Sequence, residues 1–199
     1  MGGHVGVIIV AEFRPRLDCA DAVIQDVAAR FARPNGVVGG RWRAFLFRSL
    51  DDPMVLLYVG QWDSREAFEH DRARAGRLAE RDWFDVPPVP SFYRSLRSYE
   101  RVSARAETAS VVILDGPAET RTARRDLLLG LPEEFGDQFS AAVAYDMGQD
   151  EGRPDRLVAM IRWRSEADRR VARAAWAGAA FDRRLATLNG TIANPESLA

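Results

Sequence analysis

The chain has 199 residues, 47% of them hydrophobic, and a formal net charge of −1, the composition of an ordinary soluble globular fold. All 28 basic residues are arginine, with no Arg-rich block interleaved with stacking aromatics, so nucleic-acid binding has no electrostatic support. The single Cys19 excludes an intramolecular disulfide, and no Cys/His cluster has structural-zinc spacing; the apolar run Val5–Val10 is too short for a membrane span and lacks a basic leader. A cytoplasmic protein without a metal is expected.

Val5 to Phe13 is β-branched and apolar, which predicts a strand broken by Pro15. Asp18 then precedes Ala20, Val23, Ile24, Val27, Ala28 and Phe31, a three-and-four spacing that predicts one apolar helix stripe with Asp18 as N-cap. Val37 to Leu50 returns to a strand pattern with Trp42, Ala44 and Leu46 on one face. Asp51-Asp52-Pro53 predicts a hairpin turn, and Val55 to Trp62 the returning strand. Ser64 opens a second helix to about Arg81, with Asp63 and Glu66 near its positive end. Val86 to Pro90 reads as irregular and Phe92 to Val102 as a fourth strand. The order β-α-β-β-α-β is the ferredoxin-like unit.

The second half is expected to repeat that order more loosely. It reads as a strand at Ser110–Leu114, a helix over Glu119–Leu131 ended by Pro132, and a strand at Gln138–Asp146. A turn over Gly148–Pro154, a strand at Leu157–Trp163, a helix from Ser165 to about Leu185 and a last strand at Thr187–Ala193 complete it. Pro53, Leu56, Trp62 and Ser64 recur as Pro154, Leu157, Trp163 and Ser165 at one displacement (163 − 62 = 101). Four matches at one offset imply two related halves. The expected fold class is α+β, with residues 1–103 as a first ferredoxin-like domain and 108–199 as a second, more degenerate one. A lone unit leaves one sheet face uncovered. Two units in tandem, packed sheet to sheet, would cover each other as an intramolecular α/β barrel, a monomeric pseudo-dimer with further homodimerisation left open.

The stretch YVGQWDSREAFEHDRA, from Tyr58 to Ala73, resembles the antibiotic biosynthesis monooxygenase type of dimeric α/β barrel. The likeness runs over Val5–Val102 and is fainter over Ser110–Ala193, where Trp-x-Ser persists without the Phe. The resemblance implies a cofactor-independent monooxygenase or related tailoring enzyme acting on an aromatic polyketide-like molecule, with molecular oxygen as co-substrate. A polyketide cyclase of the same fold and a non-catalytic ligand-binding or interaction module are the alternatives, because fold alone does not choose a reaction.

The resemblance also places candidate residues. Trp62 would stand beside a ligand, or cap the helix as core. His70 would take a phenolic proton, although the family pattern has its His one residue later. Tyr58, Trp42, Trp83, Phe84 and Phe92 would line an aromatic cavity or build a sheet core from the same side chains. Arg43 and Arg94 would stabilise a phenolate. Haem-degrading relatives use a helix His with a first-strand Asn and a second helix Trp. Here the first strand has no Asn and Asp71 replaces that Trp, so haem degradation is disfavoured. No Ser-His-Asp order, P-loop or dinucleotide Gly fingerprint occurs, and GVVGG at Gly36–Gly40 reads as a flexible or bulged strand start.

Overall fold

The computed structural model describes residues 6–31, 40–49, 52, 54–74, 81–100, 106–114, 119, 121–134, 142–176 and 184–191. It divides into two compact units built on Val5–Phe92 and Tyr93–Asn189.

The first unit contains β1 (Val7–Phe13), α1 (Ala20–Phe31), β2 (Arg41–Ser49), β3 (Leu56–Trp62) and α2 (Arg65–Arg74). β3 lies between β1 and β2 and is antiparallel to both, with Ile9 and Ala44 opposite Gly60 and Ala11 and Leu46 opposite Tyr58. Cross-strand partners share a face. One face thus collects Val7, Ile9, Phe13, Leu46, Leu56, Tyr58 and Trp62, and Val23 and Val27 of α1 pack on it with Ala67 and Phe68 of α2. Every residue of β3 is buried, which is why its sequence reads as a continuous apolar run rather than an alternation. Burying each large aliphatic side chain contributes about 1.5–3 kcal/mol.

Asp18 does not cap α1. It lies inside a 3-10 turn, Leu17–Cys19, that precedes the helix and has no side-chain cap. The cause is the approach. Pro15 forms a β-bridge with Phe84, and the Arg16 N–H donates to the Trp83 carbonyl at 2.8 Å, so the chain turns before Asp18. Gly40 adopts φ +86°, a conformation favouring glycine, and a Cβ there would stand 2.8 Å from that of Ala67. A register shift follows between Arg41 and Arg43, as a bulged strand start requires.

The second unit contains most of β4 (Ser91–Glu100), then β5 (Thr108–Leu114), α3 (Arg121–Glu134), β6 (Ala142–Asp150), β7 (Leu157–Trp163), α4 (Glu166–Trp176) and β8 (Arg184–Thr191). Its strand order is β8-β5-β7-β6-β4. β4 is antiparallel to β6, from Tyr93 opposite Asp150 to Glu100 opposite Ala144. β5, β6 and β7 begin and end 101 residues after β1, β2 and β3. The bulge recurs at the same displacement, between Ala142 and Ala144. So do the hairpin bonds: Ser49 N–H to Val55 O becomes Asp150 N–H to Arg156 O, both 2.9 Å.

Three further expectations are corrected here. α3 continues past Pro132 to Glu134. Proline lacks the N–H that would bond Leu128 O four residues back, and the Tyr145 hydroxyl donates to that carbonyl instead, at 2.6 Å. Arg97 donates to the next carbonyl, of Leu129. The second strand of this half runs over Ala142–Asp150 rather than Gln138–Asp146, so Gly148 is a strand residue and the turn starts after Asp150. The Asp150 carboxylate organises that turn, accepting the Gly152 and Arg153 N–H groups at 2.9 Å each. Arg184 and Leu185 belong to β8, not to a helix.

Candidate functional site

The richest aromatic cluster of the first unit sits where β3 hands over to α2. Tyr58, Gly60 and Trp62 alternate along β3 and therefore share a face. The Trp62 indole Nε1 donates to the Tyr58 hydroxyl at 3.1 Å, a buried hydrogen bond that spans Gly60. A Cβ on residue 60 would lie 2.2 Å from that hydroxyl oxygen and 2.7 Å from Nε1, so only glycine leaves room for the pair. Phe68 of α2 meets Trp62 edge-on at 5.5 Å and Phe92 edge-on at 5.8 Å between ring centroids. The Arg65 guanidinium lies 4.2 Å from the Phe92 ring centroid, and that of Arg81 5.0 Å from the Trp83 ring centroid. Phe84 packs against Phe13 at 6.1 Å.

The helix start beside this cluster is fixed by its cap. Ser64 Oγ accepts the Ala67 N–H at 3.2 Å. Glu66, bonded to its own backbone N–H and to Ser64, is held below the usual carboxylate range.

The candidate residues therefore sort into groups. Tyr58, Trp62 and Phe84 are buried in one cluster, and Trp83 and Phe92 pack against it, half-buried. Phe68, part of the stretch that carries the family resemblance but not named as a site residue, joins them, one turn into the helix that Ser64 opens. His70 is exposed on α2. Arg43 is opposite Gln61, hence on the other face of the sheet from Trp62. Arg94 belongs to the second unit, where its Nη2 donates to Gln149 Oε1 at 3.1 Å. The side chain of Trp42 lies outside the described residues.

The second unit repeats the corner with different chemistry. Trp163 donates from Nε1 to Ser110 Oγ on β5 at 3.0 Å. Ser165 Oγ accepts the Asp168 N–H at 3.1 Å and donates to the Asp168 carboxylate at 2.8 Å, which holds that carboxyl below its ordinary range. Glu166 is likewise held low, first by Arg169. On the opposite face Asp146 is fully buried and accepts from Ser98 Oγ at 2.6 Å. Arg162 lies 3.9 Å from Asp146 and 3.6 Å from Glu100. This buried ionic group was missed from sequence; its signal was a charge inside each of the apolar runs AVAYDMG and LVAMIRW.

An imidazole-ligated haem needs a histidine facing an enclosed apolar pocket. Of the two histidines, His4 is outside the described residues and His70 is exposed, so the described residues do not fit that group. Among the described residues no cluster of three or more His, Cys, Asp or Glu could hold a metal ion, and no helix is long and apolar enough to cross a membrane.

No protein-family model matches the chain, and no curated protein does. Solved structures do. One from Fusobacterium nucleatum, named "Putative monooxygenase", superposes with a TM-score of 0.78 at 11% identity, over 96% of this chain and 94% of that one. An anthrone oxidase-like protein gives 0.64 at 12% identity, over 95% and 92%. A mutant chlorite dismutase from Candidatus Nitrospira defluvii gives 0.64 at 13% identity, over 100% and 94%. The shared feature is the fold, α+β and of the dimeric α/β-barrel kind.

Proposed function

We propose that the chain is a tandem pair of ferredoxin-like halves, 1–103 and 108–199, acting as a cofactor-independent monooxygenase on a small, flat aromatic molecule of the polyketide type. The observation that carries this reading is the Tyr58–Trp62 pair bridging Gly60 among Phe68 and Phe92. It sets one polar group, a phenol hydroxyl held by an indole N–H, in an otherwise apolar aromatic cluster. That is the surrounding an oxidisable phenol or anthrone asks for. The likeness in fold to proteins named for monooxygenase and anthrone oxidase chemistry supports it without fixing the reaction.

In this reading the aromatic rings exclude water and align the substrate, and Tyr58 hydrogen-bonds its oxygen. Removal of a C–H proton gives a delocalised carbanion that reduces O2. A carbon–oxygen bond forms as a peroxide, which takes up a proton; loss of the second C–H proton from the same carbon then turns its C–O bond into a carbonyl as the O–O bond breaks, and hydroxide leaves as water. One oxygen atom stays in the product and the other departs in water. His70 is exposed on α2 and does not belong to the aromatic cluster. Arg65 sets a cation over Phe92 at the edge of the cluster.

The test is incubation of the full chain with an anthrone under ¹⁸O2, against a protein-free control. One labelled oxygen per product, with a rate falling about tenfold or more in Tyr58→Phe, is expected. No incorporation above control, with the anthrone nevertheless bound, would establish the second reading, a binding module. That reading is favoured by the burial of Trp62, 1% exposed with its N–H satisfied within the chain.

A further inference from the structure

We infer that the second unit carries a separate binding site for a small polyanion, an oligophosphate or polycarboxylate, in a cleft at the start of α3. The cleft is about 560 Å³, the size of a small-molecule site, and is lined by Arg94, Arg121, Thr122, Arg125, Gln149, Asp150, Glu151 and Pro154. Three guanidiniums from two elements converge there, Arg94 from β4 and Arg121 with Arg125 from α3.

Their setting is costly unless an anion completes it. Arg121 and Arg125 are one helical turn apart, so their like charges repel, and Arg121 stands at the positive end of the α3 dipole, where cations are disfavoured. Among the described residues none of the three has an ion pair, although two carboxylates line the same cleft. One oxygen of the Asp150 carboxylate is taken up by its own turn, accepting two N–H groups there. Gln149 acts as a positioning residue. Its Nε2 donates to the Pro154 carbonyl at 2.8 Å, which orients Oε1 to accept from Arg94 Nη2 at 3.1 Å. That leaves the other N–H groups of Arg94 for a ligand. The Thr122 hydroxyl adds a neutral donor.

Planar guanidiniums match carboxylate and phosphate oxygens two at a time, so three of them select a ligand with several anionic oxygens over a monoanion. Glu151, on the rim, disfavours ligands whose negative charge extends past the cleft. The class is therefore a compact polyanion rather than a nucleic-acid strand.

Isothermal titration of the full chain with inorganic pyrophosphate and, separately, citrate distinguishes the two sources of this chemistry. Saturable one-to-one binding of at least one is expected, weakened about tenfold or more by Arg121→Gln/Arg125→Gln and by Arg94→Gln, and weakened by added salt. Because the double substitution removes repulsion in the first turn, its thermal midpoint should be unchanged or higher, so loss of binding is not loss of fold. Should that variant nonetheless unfold, Arg94→Gln alone decides. No binding of either probe, or equal binding by wild type and the folded variants, overturns the proposal.

Discussion

The two tryptophan corners share a backbone and differ in what holds the indole. Trp62 and Trp163 are both buried, end the matched strands β3 and β7, and precede serines that cap α2 and α4. Trp62, however, bonds a tyrosine on its own strand across a glycine, whereas Trp163 bonds a serine on the neighbouring strand. Ile161 takes the place of Gly60, 101 residues on, and Ala159 that of Tyr58. On the other face, Gln61 and Phe45 become Arg162 and Asp146. The frame is thus common to both halves while the polar investment has moved. The first corner keeps a phenol beside the helix, and the second fills that space with aliphatic carbon and buries its charges on the far side. A shared corner geometry is evidence of fold; the residues around it are where a function is added or lost.

The largest break in this comparison should come from Gly60→Ala. The new methyl group displaces the Tyr58–Trp62 bond, and overpacking of this kind costs about 2–3 kcal/mol, seen as a lower urea midpoint. Tyr58→Phe and Ser110→Ala come next. Each strands one buried indole N–H, so each should lose about 1–3 kcal/mol. Only Tyr58→Phe should also slow oxidation; equal effects on activity would erase the functional distinction between the corners. The smallest contrast is at the caps. Ser64→Ala and Ser165→Ala should each cost about 1 kcal/mol. The second should respond more to acid, because two carboxylates at its helix start, Glu166 and Asp168, are held low, against Glu66 alone at the first. A carboxyl lowered in the folded state stabilises above its unfolded value of ~4, and that contribution disappears as pH falls through the folded value. Protection factors, which divide out the intrinsic slowing of exchange in acid, should therefore fall more at Asp168 and Arg169 than at Ala67 and Phe68 on acidification; the reverse order would refute the assignment.

Much of this frame is legible in sequence because it depends on local patterns. The runs Val7–Phe13 and Leu56–Trp62 are buried on both faces and so read as strands, and Trp-x-Ser marks a strand end followed by a cap in both copies. What was not legible depends on distant partners. Pro132 reads as a helix stop until Tyr145, from another strand, is found on the carbonyl it leaves unbonded. Gly148 reads as a turn until the Asp150 side chain is seen to build that turn further on. Among the candidate site residues, the alternation of Tyr58 and Trp62 signals their shared face, but the positions of Arg43 and Arg94 carry no such local signal. A bulge and a cross-strand register put the first on the far face, and the β4–β6 ladder puts the second in the other unit. The arginine cleft joins positions 94, 121–125 and 149–154, and no local spacing signals that.

The β4–β6 ladder also bears on how such chains could be reshuffled. The segment that repeats β1–β3 begins with β5, just after β4, yet β4 pairs along β6, which belongs to that repeat. A recombinant joining the first half of one such protein to the second half of a homologue would place β4 of one parent against β6 of the other. Whether the hybrid folds would then be decided along a single ladder, from Tyr93 opposite Asp150 to Glu100 opposite Ala144. A crossover before Ser91 would keep both strands from one parent.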